Sequence, residues 1–240
     1  MRVALLQIEL DATSRSRNVQ RVMAAIDRAA RNRPAPDMLV LPSMCDSAGI
    51  ANDRSSTPRG LTGMAETISW AARDWGIFIV CGLHARASGG WVPCTVLFDA
   101  DGDAVASTGA SFAGDADAAE AGVVVWPCAQ GRIIVGESVT AVRSLAPSAV
   151  SGALVSVPLP LWLTGHARAE EWKAVESLVR SDAERGDAYW GLVGAVDAES
   201  PCATCVLGPL GPPLGEIKPG EDDAVVIVNV PIEPARRATA

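Results

Sequence analysis

Lysine is nearly absent from this chain. Lys173 and Lys218 are the two lysines among twenty basic side chains, the others all being arginine. With the alanine-rich composition this reads as the bias of a GC-rich genome, without functional meaning of its own. Histidine is equally scarce, at His84 and His166, and two imidazoles with no third ligand do not make a metal site. Positive charge is short overall, with a formal net charge of −8. No basic stripe exists to neutralise phosphates, which argues against a nucleic-acid partner. The same acidity argues against an anionic membrane surface. No apolar run approaches the roughly 18 residues a spanning helix needs. The opening Met1–Glu9 stretch meets a carboxylate too early for a signal peptide. The expectation is a cytoplasmic protein that binds neither nucleic acid nor membrane.

What is there suits a packed globular chain. Over 240 residues, 49% are hydrophobic and 20% charged, enough to bury a sizeable core. No linker, repeat or low-complexity run divides it, so a single domain over 1–240 is expected, with a C-terminal tail from about 231. Six cysteines, at 45, 81, 94, 128, 202 and 205, lie scattered in apolar surroundings. That is the pattern of reduced core residues, not of a disulfide framework.

The apolar periodicity alternates between strand and helix. Strands are expected at 2–8, 38–41, 77–83, 92–99, 104–107, 122–126, 132–136, 153–157, 189–196, 202–207 and 224–230, with a short segment at 141–149. Helical spacing covers 16–32, where Val19, Val22, Met23 and Ile26 share a face opposite arginines, and returns at 61–75 and 167–186. Asp101-Gly102 marks a tight hairpin turn, and the run Pro209–Pro213 reads as a further turn. This is an α/β pattern of mixed sheets with helices outside.

The stretch Gly131–Thr140, GRIIVGESVT, is a buried strand running out into small and polar residues. In α/β enzymes a nucleophile is often carried just past such a strand end, and here Glu137 and Ser138 stand there. Its neighbours in sequence resemble those of the nitrilase, or carbon–nitrogen hydrolase, superfamily. The opening VALLQIE followed by Asn18, the strand PDMLVLPS, the hairpin IFIVCGLHARASGGWVPCTVLFDADGDAV, then GALVSVPLP, YWGLVGAVD and the closing CVLGPLGPPLGEIKPGEDDAVVIVNVPIEPARR occur in that family's order. The resemblance spans nearly the whole chain and rests on order and spacing. It implies an α-β-β-α sandwich, two mixed sheets face to face with helices outside.

The resemblance also implies a chemistry. The family works with a Glu general base, a Lys that steadies the tetrahedral oxyanion and a Cys whose thiolate attacks an amide or nitrile carbon. Carried over by position, the Glu falls on Ser43, after Leu41-Pro42. The Lys falls near Ala110 and the Cys on Ser138. All three are replaced, and neither lysine of the chain lies near 105–115. Serine is a nucleophile in other hydrolases, but Ser138 would need a base, and neither His84 nor His166 is placed to serve. Glu137 is the one nearby substitute, yet adjacent strand residues point to opposite faces.

Other residues favour bland readings. Cys202-x-x-Cys205 lacks the second pair of a zinc site, and a strand sends residues three apart to opposite faces. Cys45, just beyond Ser43, is placed to reach the mouth of the site, but has no basic neighbour to ionise its thiol. Asp115, Asp117 and Glu120 lack the spacing of a calcium loop. Trp126, Trp162 and Trp190 fall where strands end, as pocket lining or as core anchors. No cofactor and no metal is expected. The functional expectation is a superfamily member without the triad, acting as a partner or scaffold subunit or as a small-molecule binder. It would form a homodimer, or a hetero-oligomer with an active paralogue. The alternative is an enzyme with a rebuilt site acting on an amide, nitrile or related C–N bond in a biosynthetic pathway.

Overall fold

The computed structural model describes residues 1–11, 13–43, 45–46, 61–87, 90–108, 123–129, 131–136, 142, 153–158, 177, 181, 188–193, 204–209, 213–218, 221 and 223–232. The chain begins with β1 (Arg2–Leu6), α1 (Arg15–Ala30), β2 (Met38–Val40), α2 (Leu61–Trp75) and β3 (Phe78–Ala87). Ser14 caps α1, accepting from the Arg17 N–H, which satisfies one of the orphan donors of the first turn. Asn18 is wholly buried; its Oδ1 accepts from the Asp11 N–H at 2.7 Å and its Nδ2 donates to the Asp11 carbonyl at 3.0 Å. This clamps the loop between β1 and α1.

Two hairpin strands follow, β4 (Gly90–Phe98) and β5 (Ala104–Ser107). Their turn holds Gly102 at φ +85°, a left-handed position that suits glycine. The second half supplies β6 (Val123–Cys128), β7 (Gly131–Gly136), β8 (Leu154–Pro158), β9 (Tyr189–Val193), β10 (Thr204–Leu207) and β11 (Pro213–Ile217), and β12 (Val225–Asn229) closes the set.

The described strands form two six-stranded sheets, ordered β12-β1-β2-β3-β4-β5 and β11-β10-β9-β8-β7-β6. Each has the same plan. Three central strands run parallel (β1, β2, β3 and β7, β8, β9) and antiparallel strands flank them. The alternation of side chains divides the first sheet's residues between two cores. Ala4, Leu6, Leu39, Leu41, Ile79, Cys81, Leu83, Cys94 and Val96 pack with α1 and α2. Val3, Leu5, Met38, Val40, Val80 and Leu97 pack against Ile133, Val135, Leu154, Val193 and Val206 of the second sheet. The mixed α/β sandwich expected from sequence is therefore the fold observed.

Three local expectations are corrected. Pro213 opens β11, not a turn's end; an exposed edge strand beginning with proline has little apolar alternation to announce it. Ile232, assigned to a tail, is buried in the core between the sheets. The strand expected at 77–83 runs on through His84 to Ala87. The helix expected at 167–186 and the segment at 141–149 fall outside the described residues, apart from positions 142, 177 and 181.

Candidate functional site

The carboxyl ends of the parallel strands are where open α/β sheets place ligands, and there the inter-sheet face changes character. One row of register partners crosses the first sheet as Leu5, Val40, Val80, Leu97 and Ala106, all of them apolar. Two residues on, at the carboxyl ends of β1 to β3, the same face carries polar or missing side chains. Gly82 pairs with Thr95, and Thr95 exchanges backbone and side-chain bonds with Thr108. The Thr108 N–H donates to the Thr95 carbonyl at 2.9 Å, and the Thr95 N–H donates to Thr108 Oγ1 at 3.0 Å.

Gln7 ends this row at the β1 side and crosses to the second sheet. Its Oε1 accepts from Thr204 Oγ1 at 2.8 Å, while its Nε2 donates to the carbonyls of Glu221 at 2.8 Å and Lys218 at 3.4 Å. A buried amide with both ends occupied, by β10 on one side and the loop after β11 on the other, is a rigid tie.

Ser43 lies beside this row, and a local irregularity positions it. The Leu41 N–H donates to the Val80 carbonyl at 2.8 Å, as in a regular parallel ladder. The next bonds then slip: Gly82 N–H donates to the Pro42 carbonyl at 3.1 Å, and Cys45 N–H donates to the Gly82 carbonyl at 2.9 Å. A regular ladder would reach the Gly82 carbonyl two residues earlier, from position 43. The chain thus loops out a corner that contains Ser43, in the manner of a bulge. Ser43 is buried there, as is Asp46.

Because the detour adds two residues, Cys45 returns to the face of Leu41. It packs with the α1–α2 core. The expectation that its thiol reaches the mouth of the site is corrected by this parity. Cys81 and Cys94 share that helix-facing cluster. Burial pushes the Cys81 thiol well above its ordinary range, with the adjoining Cys45 side chain adding to the effect. Cys128 packs toward the inter-sheet core but pairs with Gly131, at the opposite end of β7. Cys205 alternates with the inward-facing Thr204 and Val206 and so points away. Among the described residues, no thiol stands at the carboxyl ends on the inter-sheet face.

The other positions expected for the triad, Ala110 and Ser138, lie outside the described residues, and so do Glu137, His166, Cys202, Asp115, Asp117, Glu120 and Trp162. Trp126 lies within β6 and packs against the inter-sheet core. Trp190 is the second residue of β9, not its end, and its buried indole N–H has no acceptor. No group of three or more His, Cys, Asp or Glu among the described residues is arranged to hold a metal ion. No described helix is long and apolar enough to cross a membrane. Sequence reasoning missed the Gln7 tie and the Thr95–Thr108 pair. Alternation marked their faces, but the partners come from other strands.

Comparisons with known proteins agree with this architecture. Residues 2–109 match the model of the Carbon-nitrogen hydrolase family. A mutant of the amidase from Nesterenkonia sp. AN1, carrying acrylamide added at its active-site cysteine, superposes with a TM-score of 0.77 at 21% identity, covering 99% of this chain and 97% of that one. A second mutant of that amidase, in complex with butyramide, gives a TM-score of 0.76 at 21% identity, covering 99% and 94%. None of the curated proteins matches the sequence. The first 109 residues thus resemble that family, and the whole chain shares the fold of these amidases.

Proposed function

We propose that this chain is a non-catalytic member of the superfamily, which keeps the sandwich and serves as a partner or scaffold subunit, or holds a small molecule without hydrolysing it. The observation that carries this reading is Ser43, a neutral hydroxyl at the corner beyond Leu41-Pro42 where the family's general base is expected. A hydroxyl does not replace a carboxylate as a proton acceptor near neutral pH. The positions of the described thiols support the same reading. So do the lysines: Lys218 follows β11, and Lys173 is far in sequence from the expected place near 110. Without a thiolate and a fixed positive charge, attack and oxyanion stabilisation lack their means. In this role the protein works in the cytoplasm as a homodimer or bound to an active paralogue.

A second reading has one observation in its favour. Asp46 is a buried carboxylate three residues beyond Ser43, and a carboxylate is the residue type a rebuilt acid–base site would need. In that reading Ser138 or Glu137 takes the nucleophile's part on an amide, nitrile or related C–N bond.

A panel of small amides and nitriles, offered to the purified chain alone and with a co-purifying paralogue, separates the two. The first reading expects no turnover, together with a stable complex by light scattering. Turnover abolished by Ser138→Ala, Glu137→Gln or Asp46→Asn would establish the second and overturn the first.

A further inference from the structure

We infer that the solvent face of α2 is a self-association surface, on which a second copy of this chain docks antiparallel about Trp70. The inference names a surface for the partner role proposed above, and it holds whether or not the chain is catalytic.

The helix has three engaged sides and one open one. Met64, Ala65, Ile68, Ala71 and Ala72 pack into the helix-side core. On one flank the Ser69 hydroxyl donates to the Gly102 carbonyl at 2.6 Å. On the other the Trp75 indole N–H donates to the Asp27 carboxylate of α1 at 3.1 Å. The remaining stripe carries Gly63, Glu66, Trp70 and Arg73, all exposed. At 3.6 residues per turn these four fall within a sector of about 80°. Trp70 is 55% exposed, the most of any large apolar side chain among the described residues. One exposed apolar side chain is ordinary by itself. The charges around this one are what point to a partner.

Glu66 stands four residues before Trp70 and Arg73 three after, both on the same side of the stripe. They are two turns apart, about 10.5 Å along the axis. A two-fold axis crossing α2 between Ser69 and Trp70 therefore sets Glu66 against the partner's Arg73, and Arg73 against the partner's Glu66. The two indole rings meet beside that axis, as aromatic anchors do at the centre of an interface. Such an isologous contact is self-complementary only in the antiparallel sense. A parallel pair would oppose like charges. The counterpart of the exposed Asp74 in this register is the buried Ala65, so no second carboxylate faces it.

Neither charge is used elsewhere. Among the described residues no ion pair engages Glu66, and Arg73 has the adjacent Asp74 at 3.9 Å, an exposed contact of little strength. A Cβ at Gly63 would meet no atom within 4 Å, which keeps the stripe low beside Glu66. Two single-helix stripes bury less than the standard interface of about 1,600 Å². The dimer is therefore weak and concentration-dependent, with its orientation set by charge.

The test is sedimentation equilibrium of the full-length chain over a concentration series at low salt, with circular dichroism and Tm to confirm folding. Wild type is expected to dimerise, and added salt to weaken the dimer. Glu66→Arg and Arg73→Glu each place like charges in both cross pairs, and each should raise the dissociation constant by about tenfold or more. Mixing those two variants in equal amounts pairs opposite charges again and should restore the wild-type constant, as should the double variant. Trp70→Ala should leave the monomer. Should a charge variant fail to fold, Trp70→Ala and the salt dependence still decide. Wild type that stays monomeric up to about 1 mM would overturn the proposal. So would a dimer that Trp70→Ala and both reversals leave intact, or reversals that mixing does not rescue. A Trp70-dependent complex with a co-purifying paralogue, in place of the homodimer, would assign the face to that partner and overturn the second copy. None of these outcomes bears on turnover of amides or nitriles, so the surface and the non-catalytic reading fail separately.

Discussion

The two faces of the first sheet are made from the same strands and do different work. Toward α1 and α2 the face is apolar where it packs in the helix-side core, from Ala4 and Leu39 through Leu41 to Leu83 and Cys94. Toward the second sheet it is apolar for one half, along Leu5, Val40, Val80 and Leu97. It then changes to Gln7, Gly82, Thr95 and Thr108 at the carboxyl ends. The difference separates what holds the sandwich together from what is free to be a site. Buried apolar rows contribute transfer free energy in proportion to area. A buried polar row stabilises little on balance, and persists only where each group is bonded. Its placement at the strand ends, beside Ser43, is where a ligand-binding surface is expected in this architecture.

The comparison makes its strongest prediction about the apolar halves. Leu39→Ala on the helix side and Leu97→Ala between the sheets should each cost about 3–5 kcal/mol by urea unfolding, since both are fully buried. A much cheaper Leu97→Ala would mean that the sheets are less tightly packed against each other than against the helices.

Next in size is the tie that crosses between the sheets. Gln7→Ala removes the acceptor of the Thr204 hydroxyl bond and the side-chain donor to the Glu221 carbonyl, and is expected to cost about 2–3 kcal/mol. Adding Thr204→Val to it should cost less than the sum of the separate changes, because the pair shares one bond. Full additivity would show that the two side chains do not meet in solution.

A smaller effect is expected on the helix side, where α2 meets the β4–β5 turn. Gly102→Ala, at φ +85°, would place a Cβ 2.5 Å from the Ser69 carbonyl oxygen. Thermal unfolding should show a loss of about 1–3 kcal/mol, with the Ser69 hydroxyl bond to the Gly102 carbonyl disturbed as well.

The smallest effect belongs to the surface. The Thr13 hydroxyl and N–H hold the Asp11 carboxyl down, with Arg17 adding, from 3.8 to about 2. A depressed carboxylate stabilises the fold above its unfolded value, and that contribution disappears as pH falls through the folded one. Stability should therefore decline as pH falls from about 4 toward about 2, and Asp11→Asn should flatten that part of the profile. Asp11 is exposed enough that salt will weaken the Arg17 contribution. An unchanged profile in the variant would assign the acid sensitivity to other carboxylates.

Most elements of the sandwich were legible because their signals are local. The run Met38–Val40, the helical spacing of Val22 and Ile26 and the Asp101-Gly102 turn each follow from a few consecutive residues. β11 was not legible, since Pro213-Leu-Gly-Glu-Ile has an exposed edge and no apolar period. Of the site, the serine after Leu41-Pro42 was readable from sequence, and its burial was not. The place of Cys45 in the ladder was not readable either. Two extra residues preserve the alternation that puts Cys45 on the face of Leu41, but nothing in the sequence marks the slip they make in the ladder.

Sequence alone determined which residues alternate, hence which strands have two apolar faces. Those are properties of neighbours along the chain. Only the tertiary structure decided that Gln7 would hold Thr204, that Thr95 and Thr108 would pair, and that Cys45 would rejoin the ladder at Gly82. Each of these depends on the register between strands distant in sequence, which hydrogen bonding and packing fix together once the sheets assemble.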